Sequence, residues 1–123
     1  MYERNPEREI FFYAKVVLSG KGGHSAVPYL THNPIPAAFR LIQILNGKLL
    51  YEFSSFQNVA LIPVSLNAGT RQNVIPDNAE LLFRGEASNA EEKQKLYDVL
   101  KNILDALEII FHIKSKLDFE AVL

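Results

Sequence analysis

At 123 residues, with 48% hydrophobic and 22% charged side chains, the chain reads as a single soluble domain, residues 1–123, with enough apolar material for a real core. A formal net charge of −1 and a pI near 6.3 give no electrostatic case for nucleic acid or an anionic membrane, and the absence of cysteine excludes disulfides and thiolate metal sites. No apolar run approaches membrane-spanning length and the first nine residues are too charged for a secretory signal, so a cytoplasmic location is expected.

In chain order, Ile10, Phe12, Ala14, Val16 and Leu18 alternate with Phe11, Tyr13, Lys15, Val17 and Ser19, which predicts a first strand with one wholly apolar face. The stretch from Gly20 to Tyr29 packs three glycines and a histidine together; glycine permits positive φ and close backbone approach, so His24 is expected at the tip of a tight, exposed loop. Asn33 then caps a helix with Pro34 and Pro36 in its first turn. Ile35, Ala38, Phe39, Ile42 and Leu45 would share its buried face, and Gly47 would stop it. A second strand spans residues 58–66, where Pro63 predicts an edge position or a bulge. Residues 68–77 are turn-rich and carry Gly69, Arg71, Asn73 and a Pro-Asp turn signal.

A third strand over residues 79–87 turns Ala79, Leu81, Phe83 and Ala87 one way and Glu80, Arg84 and Glu86 the other. Ser88 or Asn89 caps a second helix, with Glu91 and Glu92 near its positive end and Leu96, Val99, Leu100, Ile103 and Leu107 as its stripe. Residues 108–114 alternate Ile109, Phe111 and Ile113 against Ile110, His112 and Lys114, a fourth strand. The order β-α-β-β-α-β with right-handed crossovers predicts an α+β, ferredoxin-like sandwich: a four-stranded antiparallel sheet in spatial order 4-1-3-2, with both helices on one face. Its open face would carry Tyr13, Lys15, Arg84, Glu86, His112 and Lys114. Residues 116–123 end without a turn or cap signal, as if a longer chain continued there.

Two features of that arrangement point to self-association. The second strand is an edge with no charge between residues 58 and 66, and the first helix is followed by the apolar run Leu49-Leu50-Tyr51-Glu52-Phe53. A two-fold homodimer through strand two and the first helix is therefore expected.

The glycine loop with His24 and Pro28, then Asn33-Pro34, then Gly69-Thr70 and Asn73-Val74-Ile75-Pro76-Asp77 together resemble the lid or dimerisation domain of a di-zinc metallopeptidase and amidohydrolase family. That family holds aminoacylases, hippurate hydrolases, acetylornithine and succinyl-diaminopimelate deacylases and related exopeptidases. The resemblance implies a domain inserted into a larger catalytic domain of the same parent chain, which holds two zinc ions and acts on N-acyl amino acids or small peptides. It implies that His24 reaches the partner subunit's active site and donates to the scissile carbonyl oxygen, and that Asn73 orients the substrate. Many members carry an arginine near the end of the third strand; here Glu86 stands in its place, and Arg71 and Gly69 of the preceding turn join Asn73 as candidate substrate contacts. The three histidines, 24, 32 and 112, are too scattered for zinc-ligand spacing, so this segment alone is expected to bind no metal and to be inactive.

Plainer readings stand beside these. His32 next to the Asn33 cap reads as structural and His112 as a polar residue on the open sheet face; Lys21 lacks the spacing of a phosphate-binding loop. Two rival functions belong to other classes. One is a stand-alone small-molecule-binding regulatory module. The other is an RNA-binding sheet using Phe11 and Tyr13, against which the acidic pI argues.

Overall fold

The computed structural model describes residues 8–54 and 58–123; the opening segment, residues 1–7, which carries most of the charge that argues against a signal, lies outside the described residues. The elements are β1 (Ile10–Ser19), β2 (Gly23–His24), a 3-10 turn (Pro28–Leu30), α1 (Pro34–Glu52), β3 (Ala60–Ala68), β4 (Val74–Ile75), β5 (Asn78–Ala87), α2 (Ala90–Phe111) and β6 (Lys114–Asp118). The main sheet has the order β3-β5-β1-β6 and is antiparallel throughout, which is the expected 4-1-3-2 arrangement. β2 and β4 form a separate two-stranded ribbon that is too short for any periodicity to announce.

Alternation explains the sheet. Phe12, Ala14, Val16 and Leu18 of β1 and Ala79, Leu81, Phe83 and Ala87 of β5 are buried in one cluster with Ala37, Ala38, Leu41 and Leu45 of α1 and Leu96, Leu100, Ile103, Leu104 and Leu107 of α2. Both helices therefore cover the same face. β3 is an edge strand and its register shifts between Pro63 and Ser65, so the proline sits at a bulge as its missing N–H requires. No helix among the described residues is long and apolar enough to cross a membrane.

The helix starts follow their caps. Asn33 Oδ1 accepts from Ile35 N–H at 3.0 Å, Asn89 Oδ1 accepts from Glu92 N–H at 2.8 Å, and Glu92 reaches back to Ser88 N–H at 3.1 Å. The helix ends depart from expectation. α1 runs through Gly47 to Glu52, because one helical glycine costs only about 1 kcal/mol. The turns beyond it are held by the Lys48–Glu52 pair at 2.8 Å and by the buried Phe53. Its buried stripe is Pro34, Ala37, Ala38, Leu41 and Leu45; Phe39, expected inside, is 59% exposed. The helix is apolar on two sides, and the sequence pattern merged a core stripe with a flank.

The fourth strand is displaced. Residues 108–111 are the last turn of α2, and the strand is Lys114–Asp118. An apolar run such as Ile109-Ile110-Phe111 fits either period, and the stripe ending at buried Leu107 continues the helix past it. His112 is accordingly not on the open sheet face: it takes the left-handed conformation (φ 55°, ψ 47°) as the C-cap of α2. Its N–H and that of Ile113 both donate to the Glu108 carbonyl oxygen. β6 pairs only with Lys15–Ser19 of β1, and Ala121 N–H donates to Tyr13 O at 3.3 Å. β1 thus starts at one end of the sheet and β2 and β4 lie at the other, roughly 30 Å away along a ten-residue strand, while β6 runs away from the ribbon end and finishes opposite Lys15, midway along β1.

Candidate functional site

The glycine loop is fastened along its length to the segment preceding β5. Gly20 N–H donates to Asp77 O at 2.7 Å, Gly22 N–H to Asp77 Oδ1 at 2.8 Å, and Ser25 N–H to Asn73 O at 3.1 Å, with Gly23 opposite Ile75 and His24 opposite Val74. On its other side Lys21 and His32 exchange both backbone hydrogen bonds, at 2.9 and 2.8 Å. The glycines serve this close approach: a Cβ on Gly20 would collide with the His32 carbonyl oxygen, and one on Gly22 with that of Ile75. Positive φ, expected for this loop, is found instead at Gly69 (φ 79°), where β3 enters the turn that carries Arg71 and Asn73.

The two stretches singled out in the sequence are therefore one unit. His24 is exposed on β2, and its Nδ1 accepts a hydrogen bond from Ala26 N–H at 3.0 Å. Asn73, also exposed, stands opposite Ser25, one position beyond the His24–Val74 pair. Gly69 and Arg71 line an open depression of about 460 Å³ together with Ser25, Ile35 and Val74, and Arg71 is the charged residue in that lining. A larger depression of about 850 Å³ at the start of α2, lined by Asn58, Glu91, Lys95 and Asp98 among others, includes none of the candidate residues.

Glu86, at the position where the resemblance leads one to look for an arginine, is buried, with Oε2 3.6 Å from Arg84 Nε. Arg84 also lies over the Phe11 ring at 4.5 Å. Both residues are far along β5 from the ribbon, Arg84 by roughly 20 Å at the rise of a strand. They are not brought to His24.

Two residues that the sequence left in the background matter here. Asp77 binds the loop through its carbonyl and its carboxylate, and Ala26 contributes the amide that engages the imidazole. The Pro-Asp turn signal marked Asp77 as a turn former but not as a clamp. The remaining histidines meet elsewhere: the rings of His32 and His112 are 5.6 Å apart beside Lys21, Glu108 and Lys114. Glu108 accepts from Ser115 Oγ–H and N–H, both at 2.7 Å, and these bonds hold its carboxyl below the usual carboxylate range. Among the described residues no three His, Asp or Glu side chains are grouped so as to hold a metal ion.

Comparison with known proteins converges on one family. The model of the peptidase dimerisation domain matches residues 9–111. The N-acetylcysteine deacetylase of Bacillus subtilis is 31% identical over 93 residues, covering 76% of this chain and 24% of the relative. The thermostable carboxypeptidase 2 of Saccharolobus solfataricus is 26% identical over the same shares. Among solved structures, the aminobenzoyl-glutamate utilization protein of Klebsiella pneumoniae superposes with a TM-score of 0.75 at 18% identity, covering 91% of this chain and 28% of that one. A tripeptidase of Staphylococcus aureus does so with a TM-score of 0.71 at 13% identity, over 88% and 28%. At such identities the structural likeness speaks for the fold alone. The chain spans about a quarter of the length of the curated relatives it matches.

Proposed function

This chain belongs to the peptidase dimerisation domain family, and on that footing we propose that it is the lid and dimerisation domain of a zinc-dependent amidohydrolase or exopeptidase acting on N-acyl amino acids or small peptides. The two zinc ions belong to the catalytic domain of the parent chain. The described residues here do not group three metal-ligating side chains, so no step on this segment runs through a metal. We place the parent enzyme in the cytoplasm, with which a cysteine-free chain agrees.

The observation that carries the reading is the placement of His24. It is presented on a ribbon at the end of the sheet opposite to the one where β1 starts, and β6 runs away from that ribbon to finish opposite Lys15. A catalytic domain joined through the start of β1 and the end of β6 attaches roughly 30 Å and roughly 13 Å of strand away from the ribbon end, which supports the partner subunit's active site as the one that the ribbon meets. There His24 donates to the substrate carbonyl oxygen as charge develops on it. Asn73, Arg71 and Gly69, on the turn zipped to His24, contact the rest of the substrate.

The pairing surface is the β3 edge with the adjoining flank of α1. Arg40 and Ile44 of α1 share a groove with Leu107 and Phe111 of α2, so at 3.6 residues per turn Ile35 and Ile42 fall on the other side of the buried stripe, the β3 side, with Phe39 and Leu50 between that side and solvent. Phe39 and Leu50 there are 59% and 72% exposed, and Ile62 and Val64 of β3 are also exposed. Joined about a two-fold axis, these faces are self-complementary.

The test is His24→Ala in the parent enzyme. Loss of one such donor lowers kcat by roughly 10²–10³ with little change in KM and an intact dimer. A variant that fails to fold, or one altered only in KM, overturns the assignment.

A further inference from the structure

The hydrogen bond between Ala26 and His24 says more about the ring than where it lies. An acceptor nitrogen carries no proton. With Nδ1 accepting from Ala26 N–H at 3.0 Å, the neutral imidazole holds its single proton on Nε2. The bond is local and well supported: Val27 N–H donates to His24 O at 3.1 Å and closes the turn through Ser25 and Ala26, while β2 pairing with β4 and the Asp77 clamp fix the backbone on the near side. Ring orientation and tautomer are thus both set before any substrate arrives, by a backbone amide that, among the natural residues, only a proline at position 26 would remove.

We infer that Ala26 N–H is the group that presets the neutral ring of His24 in its Nε2–H tautomer. The consequence rests on the proposed function above: His24 then serves the reaction as a hydrogen-bond donor to an acceptor oxygen, and neither as a general base nor as a metal ligand. A base needs a vacant nitrogen facing the proton it takes, and here the nitrogen without a proton is turned back onto its own chain. Nε2–H is the free end, and what it recognises is an oxygen gaining negative charge, as in an amide carbonyl under attack. A donor held in place beforehand needs no reorganisation when that charge appears, which is where such groups gain their effect.

The inference can be tested on this 123-residue chain, in the absence of any catalytic domain. Nitrogen-15 spectra of the neutral His24 ring are expected to show an unprotonated Nδ1 and a protonated Nε2, with a scalar coupling across the hydrogen bond from the Ala26 nitrogen to Nδ1. A chain in which an ester replaces the Ser25–Ala26 amide loses the donor without a change of side chain. There the preference for Nε2–H falls by about fivefold, the ratio that one net hydrogen bond sustains. A prevailing Nδ1–H tautomer, absence of the coupling, or an unchanged preference in the folded ester overturns the inference. The function reading fails separately: an Nε2–H tautomer together with a parent enzyme indifferent to His24→Ala leaves the preset donor in place and removes its catalytic role.

Discussion

The two edges of the main sheet are built to opposite rules. β6 is Lys-Ser-Lys-Leu-Asp, half the length of the strand it pairs with, and it is tied down from behind by the two bonds from Ser115 to Glu108. β3 is nine residues long and carries no charge, and it exposes Ile62, Val64 and Leu66 beside the apolar flank of α1. Lysines and short length are the usual means of keeping an edge from pairing, whereas an uncharged edge next to an apolar helix face is what a paired surface requires. In the proposed dimer the contrast assigns association to the β3 edge and leaves β6 to solvent. The bulge at Pro63 interrupts the open edge at one point without closing it.

The largest effect expected from disturbing that contrast is on the inward side of β3. Leu61 is buried opposite Gly85, so Leu61→Ala should cost roughly 2–5 kcal/mol in a urea titration. Leu117→Ala, at a half-buried site on β6, should cost less than half of that. Equal losses would mean that the two edges are anchored alike. Because Leu61 faces the core, a charge placed there would unfold the chain, and only exposed positions such as Val64 probe pairing.

On the β6 side, Glu108→Gln should cost about 1 kcal/mol at neutral pH, discounted from the value for charged hydrogen bonds because the residue is half exposed. Its carboxyl is held low in the folded state by Ser115, so this contribution is complete above the ordinary carboxylate value of about 4.3 and is lost as pH falls below it through the folded value. The stability gap between wild type and variant should therefore narrow in acid. A gap that stays constant from pH 7 to about 3 would show that Ser115 does not favour the charged form.

The smallest effect belongs to α1. A Cβ at Gly47 meets nothing within 4 Å, and so Gly47→Ala should stabilise the chain by up to about 1 kcal/mol. Since Gly47 lies well round the helix from Ile35 and Ile42, on the β3 side, association should be unaffected. A change in dimer affinity would redraw the boundary of the pairing surface.

Much of this was legible in the residues. β1 and β5 announce themselves by alternation, Asn33 and Asn89 by cap chemistry, and Pro63 by the donor it lacks. What escaped had a physical cause in each case. Ile109-Ile110-Phe111 satisfies two periods at once, and only the continuation of the Leu107 stripe decides between them. Gly47 is a local stop signal that helix packing overrides. At the site, His24 and Asn73 were each visible as chemistry, but their union depends on β2 and β4, two residues each. The Ala26 amide carries no side-chain signature at all.

The central claim is that β3 and the flank of α1 form the pairing surface. Light scattering coupled to size-exclusion chromatography, at high micromolar concentration, tests it on the wild-type chain, on Val64→Lys and on Lys116→Ser. The wild type and Lys116→Ser should elute as dimers of about twice 13.9 kDa, and Val64→Lys as a folded monomer. A wild type that is strictly monomeric, or a Val64→Lys chain that still dimerises, would contradict the account.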